Sequence, residues 1–329
     1  MTVAQSDSSD IRTTGPIGLL PAALRPYAVL SRLDRPIGWR LLLPPCWWAL
    51  ALAWPRPLDW TFLWYAFLFW LGAVAMRGAG CTYNDIVDRD IDARVARTAT
   101  RPIPSGQVGV RQAAAWAGLQ ALVGLAVLLQ FNGLTVGLGA ASLLLVAIYP
   151  FMKRVTWWPQ VFLRLAFNWG AIVGWTAATG GLDWPILPLY LAGILWTLGY
   201  DTIYAHQDIE DDILIGVRST ARRFGRHSRT WIGGFFVAMM ALLWLTGRTA
   251  GADWPWFAGC GLAALMLAWQ INTVRLHDPV SCLKAFRSTA GSAGRSRSGR
   301  SPPARYERRR RPAARVAPPR PGRRGRARR

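Results

Sequence analysis

The sequence predicts an all-α fold, a multi-pass transmembrane helical bundle. Three observations predict it. The chain of 329 residues is 52% hydrophobic and carries nineteen tryptophans. Its apolar runs repeat at about 18–22 residues, the length that crosses ~30 Å of hydrocarbon. Within most of those runs no polar face recurs at helical spacing, as an amphipathic helix of a soluble protein requires. These features exclude a soluble helical protein.

The elements follow in chain order. The N-terminal stretch "MTVAQSDSSDIRTTG" is polar and acidic, with no apolar core, so it reads neither as a secretory signal nor as an organelle transit peptide. Residues 1–24 are expected to be disordered, and the folded domain is expected to cover 25–287. Eight spans are read at 37–54, 60–80, 112–130, 134–150, 159–178, 185–203, 230–247 and 254–273. Tryptophans cluster near span ends, at Trp54 and Trp60, Trp157 and Trp158, and Trp254 and Trp256, as interfacial aromatics do.

Loop charge sets the orientation. With a cytoplasmic N-terminus, the segments 1–36, 81–111, 151–158, 204–229 and everything past 274 face the cytoplasm. They hold nearly all the arginine and lysine, whereas the opposite loops hold little beyond Arg56 and Arg248. That is a positive-inside pattern. The four cysteines are scattered and form no CxxC pair, which argues for packing rather than metal or disulfide roles.

Two acidic motifs stand at cytoplasmic span ends. The first is "NDIVDRDID", with Asn84, Asp85, Asp88 and Asp92. Residues 84, 88 and 92 step by four and share one helix face, where like charges repel unless a cation fills the gap. Magnesium suits the position, since it takes oxygen ligands, commonly one or two carboxylates plus substrate phosphates. The second motif is "YDTIYAHQDIEDD", with Asp201, Tyr204, Asp208, Asp211 and Asp212. Their placement after spans two and six suggests two related halves of four helices each. Carboxylates that hold magnesium, with arginines nearby, match the needs of a bound diphosphate. His206, His227 and His277 are not expected to bind metal, because magnesium disfavours imidazole.

At these residues the chain resembles the UbiA-type intramembrane aromatic prenyltransferases, in their 4-hydroxybenzoate branch. The matching pieces are "RLDRPIG" (32–38), "NDIVDRDIDARVARTATRPIPSG" (84–106), "YPFMKRVTWWPQ" (149–160), "LAFNWGAIVGW" (165–175), "YDTIYAHQDIEDDILIGVRSTA" (200–221) and "CLKAFRS" (282–288). The resemblance implies nine helices, of which this chain supplies eight, arranged as two four-helix halves around a cavity open to lipid. It implies magnesium-dependent transfer of a polyprenyl group from a polyprenyl diphosphate to 4-hydroxybenzoate, ortho to the hydroxyl, in ubiquinone biosynthesis. The implied setting is the bacterial cell inner membrane, with lipid as the surrounding partner.

Residue by residue, the resemblance implies a first magnesium site at Asn84, Asp85, Asp88 and Asp92, and a second at Asp208 and Asp212 with Asp201 close behind. Arg97, Arg101 and Lys153 are its diphosphate-binding candidates, and Arg154 its candidate anchor for the benzoate carboxylate, since a guanidinium fork suits that group. Tyr204 is placed to bond phosphate or steer an allylic cation with its ring. Arg32 and Arg35 are attributed to snorkelling at the interface. Arg164 and Arg40 depart from expectation by lying inside spans, at roughly 2.5–3.5 kcal/mol each near the bilayer centre; Arg164 is expected to snorkel to the cytoplasmic end.

Residues 288–329 are expected to be a disordered tail, holding fifteen arginines against one glutamate. Its composition fits a grip on anionic lipid rather than nucleic acid. It fits better an off-frame read of G/C-rich DNA that has replaced the ninth helix. Rival readings are a prenyltransferase for another aromatic acceptor, an inactive truncated homologue, and a transporter. The transporter ranks last, because its acids belong at mid-membrane and these lie at span ends.

Overall fold

The computed structural model describes residues 16–55, 57–94, 98–155, 159–207, 209 and 220–295. Described elements are all helical: α1 (Arg25–Leu30), α2 (Ile37–Ala53), α3 (Trp60–Asp92), α4 (Val110–Leu128), α5 (Gly133–Val155), α6 (Pro159–Asn168), α7 (Gly170–Thr179), α8 (Ile186–Ala205), α9 (Thr220–Phe224), α10 (Ser228–Thr249), α11 (Trp254–Thr273) and α12 (Pro279–Arg295). Among the described residues, five stretches are long and apolar enough to cross a membrane: Trp60–Asp92, Val110–Leu128, Ile186–Ala205, Thr220–Thr249 and Trp254–Thr273. Two shorter apolar helices, Ile37–Ala53 and Gly133–Tyr149, join them.

Local chemistry starts and stops these helices. Asp59 caps α3 by accepting the Phe62 amide at 2.9 Å, and Asp278 accepts the Val280 amide at 3.0 Å where α12 begins. Pro255 lies in the first turn of α11, where an amide hydrogen has no helical partner to lose. Gly180, at φ 73°, ends α7 in the left-handed conformation that glycine adopts freely.

Packing divides between two large apolar clusters and a small third one of Leu30, Ile103, Val108 and Ala113. One joins α2, α3, α4 and α7 through Leu43, Leu50, Leu68, Phe69 and Val127. The other joins α2, α7, α8, α10, α11 and α12 through Trp48, Trp175, Trp196, Phe236 and Cys282. Helix α2 belongs to both and crosses α7 so closely that a Cβ added at Gly170 or Gly174 would overlap Cys46. Buried polar groups pair across helices, as a lipid setting demands. Asn132 Nδ2 donates to the Thr176 carbonyl at 2.8 Å, tying the turn before α5 to α7. Trp116 Nε1 donates to Ser31 Oγ at 2.8 Å, tying α4 to the turn after α1.

Three boundaries differ from expectation. The single span read at 159–178 is two helices, α6 and α7, interrupted at Trp169. Asn168 there turns its amide inward, donating to the Arg164 carbonyl at 2.9 Å and to Thr197 Oγ1 at 3.1 Å. Regular structure is present before residue 25: Pro16–Leu19 form a 3-10 turn held by the Arg25 guanidinium on the Gly18 and Leu20 carbonyls, each at 2.9 Å. At the other end α12 runs past 287 to Arg295. Its residues Cys282, Ala285 and Thr289 are buried at helical spacing, and Gln270 of α11 donates to the Ala285 carbonyl and to Thr289 Oγ1 at 2.6 and 2.8 Å. Low overall hydropathy hides that inward face from a reading of composition.

Candidate active site

Helix α3 runs unbroken from its apolar half through the first acidic motif, which carries the acids to the end of the bundle. Asp85, Asp88 and Asp92, spaced by three and four, turn to the interior and are 0, 3 and 8% exposed. Asn84 flanks them and accepts the Tyr149 hydroxyl of α5 at 3.0 Å.

Two arginines converge on this face. Arg32 Nη2 donates to Asp85 Oδ1 at 2.7 Å. It does so from a backbone at φ 55°, the left-handed region that non-glycine residues occupy at a cost of about 1–3 kcal/mol. Burial opposes the charge on Arg32, but Asp85, with Cys81 and Asp34 adding to it, outweighs burial and holds the guanidinium above its ordinary range. Arg101 reaches back from the loop after α3, with Nη1 2.8 Å from Asp92 Oδ2 and 3.2 Å from Asp85 Oδ1. Turn bonds fix that loop: the Arg101 amide donates to the Thr98 carbonyl, and Thr98 Oγ1 to the Asp92 carbonyl.

These groups border a chamber of about 370 Å³ lined by Arg32, Asn84, Arg101, Tyr149, Asp201 and Tyr204, among others. Five arginines line it (Arg32, Arg35, Arg77, Arg101 and Arg164), against Asp201 as the lining carboxylate among the described residues. Its lining is therefore rich in guanidinium donors, with the carboxylates that hold most of them set behind or beside them, an arrangement suited to meeting an anion. The Tyr204 ring packs against Phe286 of α12 at 4.5 Å. Arg164 does not snorkel as expected. It is buried, pairs with Asp201 of α8, and lies 5.2 Å over the Phe167 ring and 5.7 Å over that of Tyr200.

A second cavity, about 290 Å³ and mainly apolar, lies between α2, α3, α4, α5 and α7. Phe69, Met76, Leu128 and Phe131 line it, together with Gly72, Gly80, Gly124, Gly139 and Gly170. Arg77, Tyr149 and Phe167 line both cavities, so the two share a wall.

The structure brings Asn84, Arg101, Asp201 and Tyr204 to the chamber and sets Asp85, Asp88 and Asp92 behind it. Arg97, Asp208, Asp211 and Asp212 lie outside the described residues. Lys153 and Arg154 occupy the last turn of α5, with side chains outside the described ones. Arg32, Arg77, Tyr149, Arg164 and Tyr200 join the lining without having been candidates. For Arg32 a signal existed, an arginine beside Asp34 and Pro36 ahead of a span, but interface snorkelling accounted for it equally well.

A divalent cation is implied by the acidic motifs. Among the described residues no three Asp, Glu, His or Cys side chains group closely enough to form a ready metal cage. Magnesium is commonly held by one or two carboxylates plus substrate oxygens, and needs no such cage. Asp85 fits that mode: both its arginine contacts fall on Oδ1, while Oδ2 is buried with no hydrogen-bond partner among the described residues.

Fold and chamber together define the class, an integral membrane helical bundle in which an arginine-lined chamber adjoins an apolar pocket. The chain belongs to the UbiA prenyltransferase family, whose profile matches residues 42–292. It is 50% identical over 270 residues to the mitochondrial 4-hydroxybenzoate polyprenyltransferase of Arabidopsis thaliana, covering 82% of this chain and 66% of that one. The chain thus spans just under two thirds of that relative's length. Its fold matches the apo structure of a UbiA homolog from Aeropyrum pernix K1 with TM-score 0.68 and 24% identity, covering 78% of this chain and 96% of the other. It also matches a UbiA homolog from Archaeoglobus fulgidus bound to GPP and Mg2+, with TM-score 0.64 and 18% identity over 82% and 98% of the two chains.

Proposed function

We propose that this protein is a magnesium-dependent 4-hydroxybenzoate polyprenyltransferase. It moves a polyprenyl group from its diphosphate to the ring carbon ortho to the hydroxyl, giving 3-polyprenyl-4-hydroxybenzoate for ubiquinone biosynthesis. The observation that carries the reading is the shared wall: a basic chamber for a diphosphate adjoins an apolar pocket for its hydrocarbon. The identity to 4-hydroxybenzoate polyprenyltransferases supports the choice of acceptor.

In this reading Arg101 and Arg32 grip the diphosphate, as charge-assisted donors held ready by Asp85 and Asp92. The residues that would hold magnesium are Asn84, Asp85, Asp88 and Asp92, with Asp201, Asp208 and Asp212 from the second motif. Magnesium, when bound, supplies positive charge against the phosphate oxygens. As the allylic C–O bond breaks, its electrons leave with the diphosphate, and the two arginines stabilise the charge gathering there. The Tyr204 ring, braced by Phe286, presents a π face to the carbon left electron-poor. The apolar walls keep water from quenching that carbon. The aromatic ring forms the new C–C bond and loses its proton to a carboxylate or to the departed diphosphate, regaining aromaticity.

Eight spans in two four-helix halves carry the site, with the chamber mouth on the cytoplasmic side of a bacterial inner membrane. The arginine asymmetry between loops supports that orientation. The test is a membrane assay with 4-hydroxybenzoate, geranyl diphosphate and magnesium, run beside Asp85→Ala. Magnesium-dependent prenylated product that vanishes in the variant is expected. Product that persists in the variant, or forms without magnesium, refutes the assignment.

A further inference from the structure

We infer that Ser31 and Trp116 are positioning residues for the donor end of the chamber: with Gln120 they form a polar network that holds Arg32 in the left-handed turn from which its guanidinium meets Asp85. The inference rests on the proposed transfer reaction and on the grip of Arg32 on the diphosphate within it.

The turn after α1 is a helix end of a common type with an uncommon occupant. The Leu33 amide donates to the Ala28 carbonyl at 3.0 Å, and the Arg32 amide to the Val29 carbonyl at 2.9 Å. These are the paired bonds of a helix terminus closed by a left-handed residue. Glycine is the usual residue there, because it adopts positive φ freely. Here the place belongs to Arg32, at φ 55°. Glycine would relieve the backbone but has no side chain to send to the chamber. Arg32 sends Nη2 to Asp85 Oδ1 at 2.7 Å, and Nη1 to the Val29 carbonyl of its own turn at 3.2 Å. A backbone held outside its preferred region persists only where its surroundings over-determine it.

Ser31 supplies those surroundings. Its Oγ, on a buried residue directly before Arg32, accepts the Trp116 indole N–H at 2.8 Å. Its single proton has two acceptors in reach, Gln120 Oε1 and the Tyr27 carbonyl, each at 3.0 Å. Trp116 and Gln120 stand four apart on one face of α4, and Gln120 Nε2 closes the network on the Trp116 carbonyl at 3.3 Å. The Tyr27 ring packs on Trp116 with centroids 5.4 Å apart. Gly78 of α3 admits this cluster, since a Cβ there would overlap Gln120 and stand 3.1 Å from Ser31 Cβ. The turn is thus fixed from α4, a helix with no side chain among the described lining of the chamber. Released from the network, Arg32 falls back to the right-handed region that residues with a Cβ prefer, and its guanidinium leaves the acids.

The test uses the full chain in detergent and in membranes, with geranyl diphosphate, magnesium and 4-hydroxybenzoate. Ser31→Ala and Trp116→Phe should each raise KM for geranyl diphosphate about fivefold or more, as misplacement of a charged group does. KM for 4-hydroxybenzoate should stay within about twofold. A merely structural role lowers the active fraction, and so kcat, and leaves both KM values alone. Arg32→Gly keeps the turn and removes the guanidinium, and should raise the donor KM at least about tenfold. On that background Ser31→Ala and Trp116→Phe should add less than about twofold, because what they position is gone. Either variant carries the test if the other fails to fold. An unchanged donor KM in both, an equal rise for donor and acceptor, or full additivity with Arg32→Gly overturns the network. So does an Arg32→Gly variant with the donor KM of the parent. Should the parent form no product, calorimetric binding of geranyl diphosphate is read in its place. Binding weakened by these variants, and not additively with Arg32→Gly, sinks the transfer reaction and leaves the network standing; binding indifferent to them sinks both.

Discussion

Replacing Asp201 with asparagine should destabilise the protein far more than the loss of one surface contact would. Asp201 and Arg164 form an ion pair between α8 and α6, with side chains 17% and 6% exposed. Asparagine keeps the shape and removes the charge, so Arg164 is left as a buried cation with two aromatic rings and no carboxylate. Breaking a buried pair from one side costs about 3–5 kcal/mol, whereas replacing both partners by apolar residues of similar volume is often neutral or stabilising. At roughly 2–4 °C per kcal/mol for a chain of this size, Asp201→Asn should lower the apparent Tm by about 6–20 °C. The double variant Arg164→Met with Asp201→Leu should recover most of that loss. The assay is thermal unfolding of detergent-purified protein, with Arg164→Met, Asp201→Leu and their double variant forming one cycle beside Asp201→Asn. The reasoning fails if Asp201→Asn melts within about 2 °C of the parent, or if the double variant loses the sum of the two singles.

Three further outcomes are expected. Arg101→Ala should raise KM for geranyl diphosphate by about 10–100-fold in steady-state kinetics, since Arg101 is a charged donor at the chamber; an unchanged KM would remove it from donor binding. Gly174→Ala should cost about 1–3 kcal/mol and Gly174→Leu should abolish a monodisperse peak on size exclusion, because the added atoms meet the Cys46 backbone, which has no way to yield; a leucine variant that purifies normally refutes the close crossing of α2 and α7. Burial holds the His206 imidazole below its usual value of 6.5, so below that pH the unfolded chain takes up a proton that the folded chain refuses. Stability from this residue is thus present above about pH 6.5 and falls as the pH drops, and the difference in apparent Tm between parent and His206→Gln should shrink or reverse from pH 7 to 5.

The apolar runs, their Trp-marked ends and the arginine asymmetry made the membrane bundle legible, because hydropathy over twenty residues is a local property. The acids of α3 were equally legible, since spacing by three and four declares a face. What escaped depended on distant partners or on averaging. Arg32 meets Asp85 across 53 positions of sequence and takes a left-handed backbone that no composition announces. Arg164 looked like a stray charge to be drawn out to the surface, until α8 supplied Asp201 beside it. Arg77 vanished into the mean hydropathy of its own span. The part of α12 beyond residue 287 escaped because it is made of small, polar and basic residues, and its inward face shows only in the burial of Thr289 one turn after Ala285. The break at Trp169 hinges on what Asn168 finds across the bundle, at Thr197.

The apolar pocket has a bore set by side chains that are not there. Gly72, Gly124 and Gly139 line it, and a Cβ at each meets, in turn, Val127, Met76 and Leu128, all lining residues whose flexible ends would be pushed aside. Adding carbon at these positions works as a graduated stop, with none of the chamber's charges touched. Under the proposed transfer reaction, isoprenoid length and bond-making chemistry would be inherited through separate sets of residues. A lineage supplied with a shorter or longer quinone tail has a route to match it in single steps, each leaving the reaction itself intact.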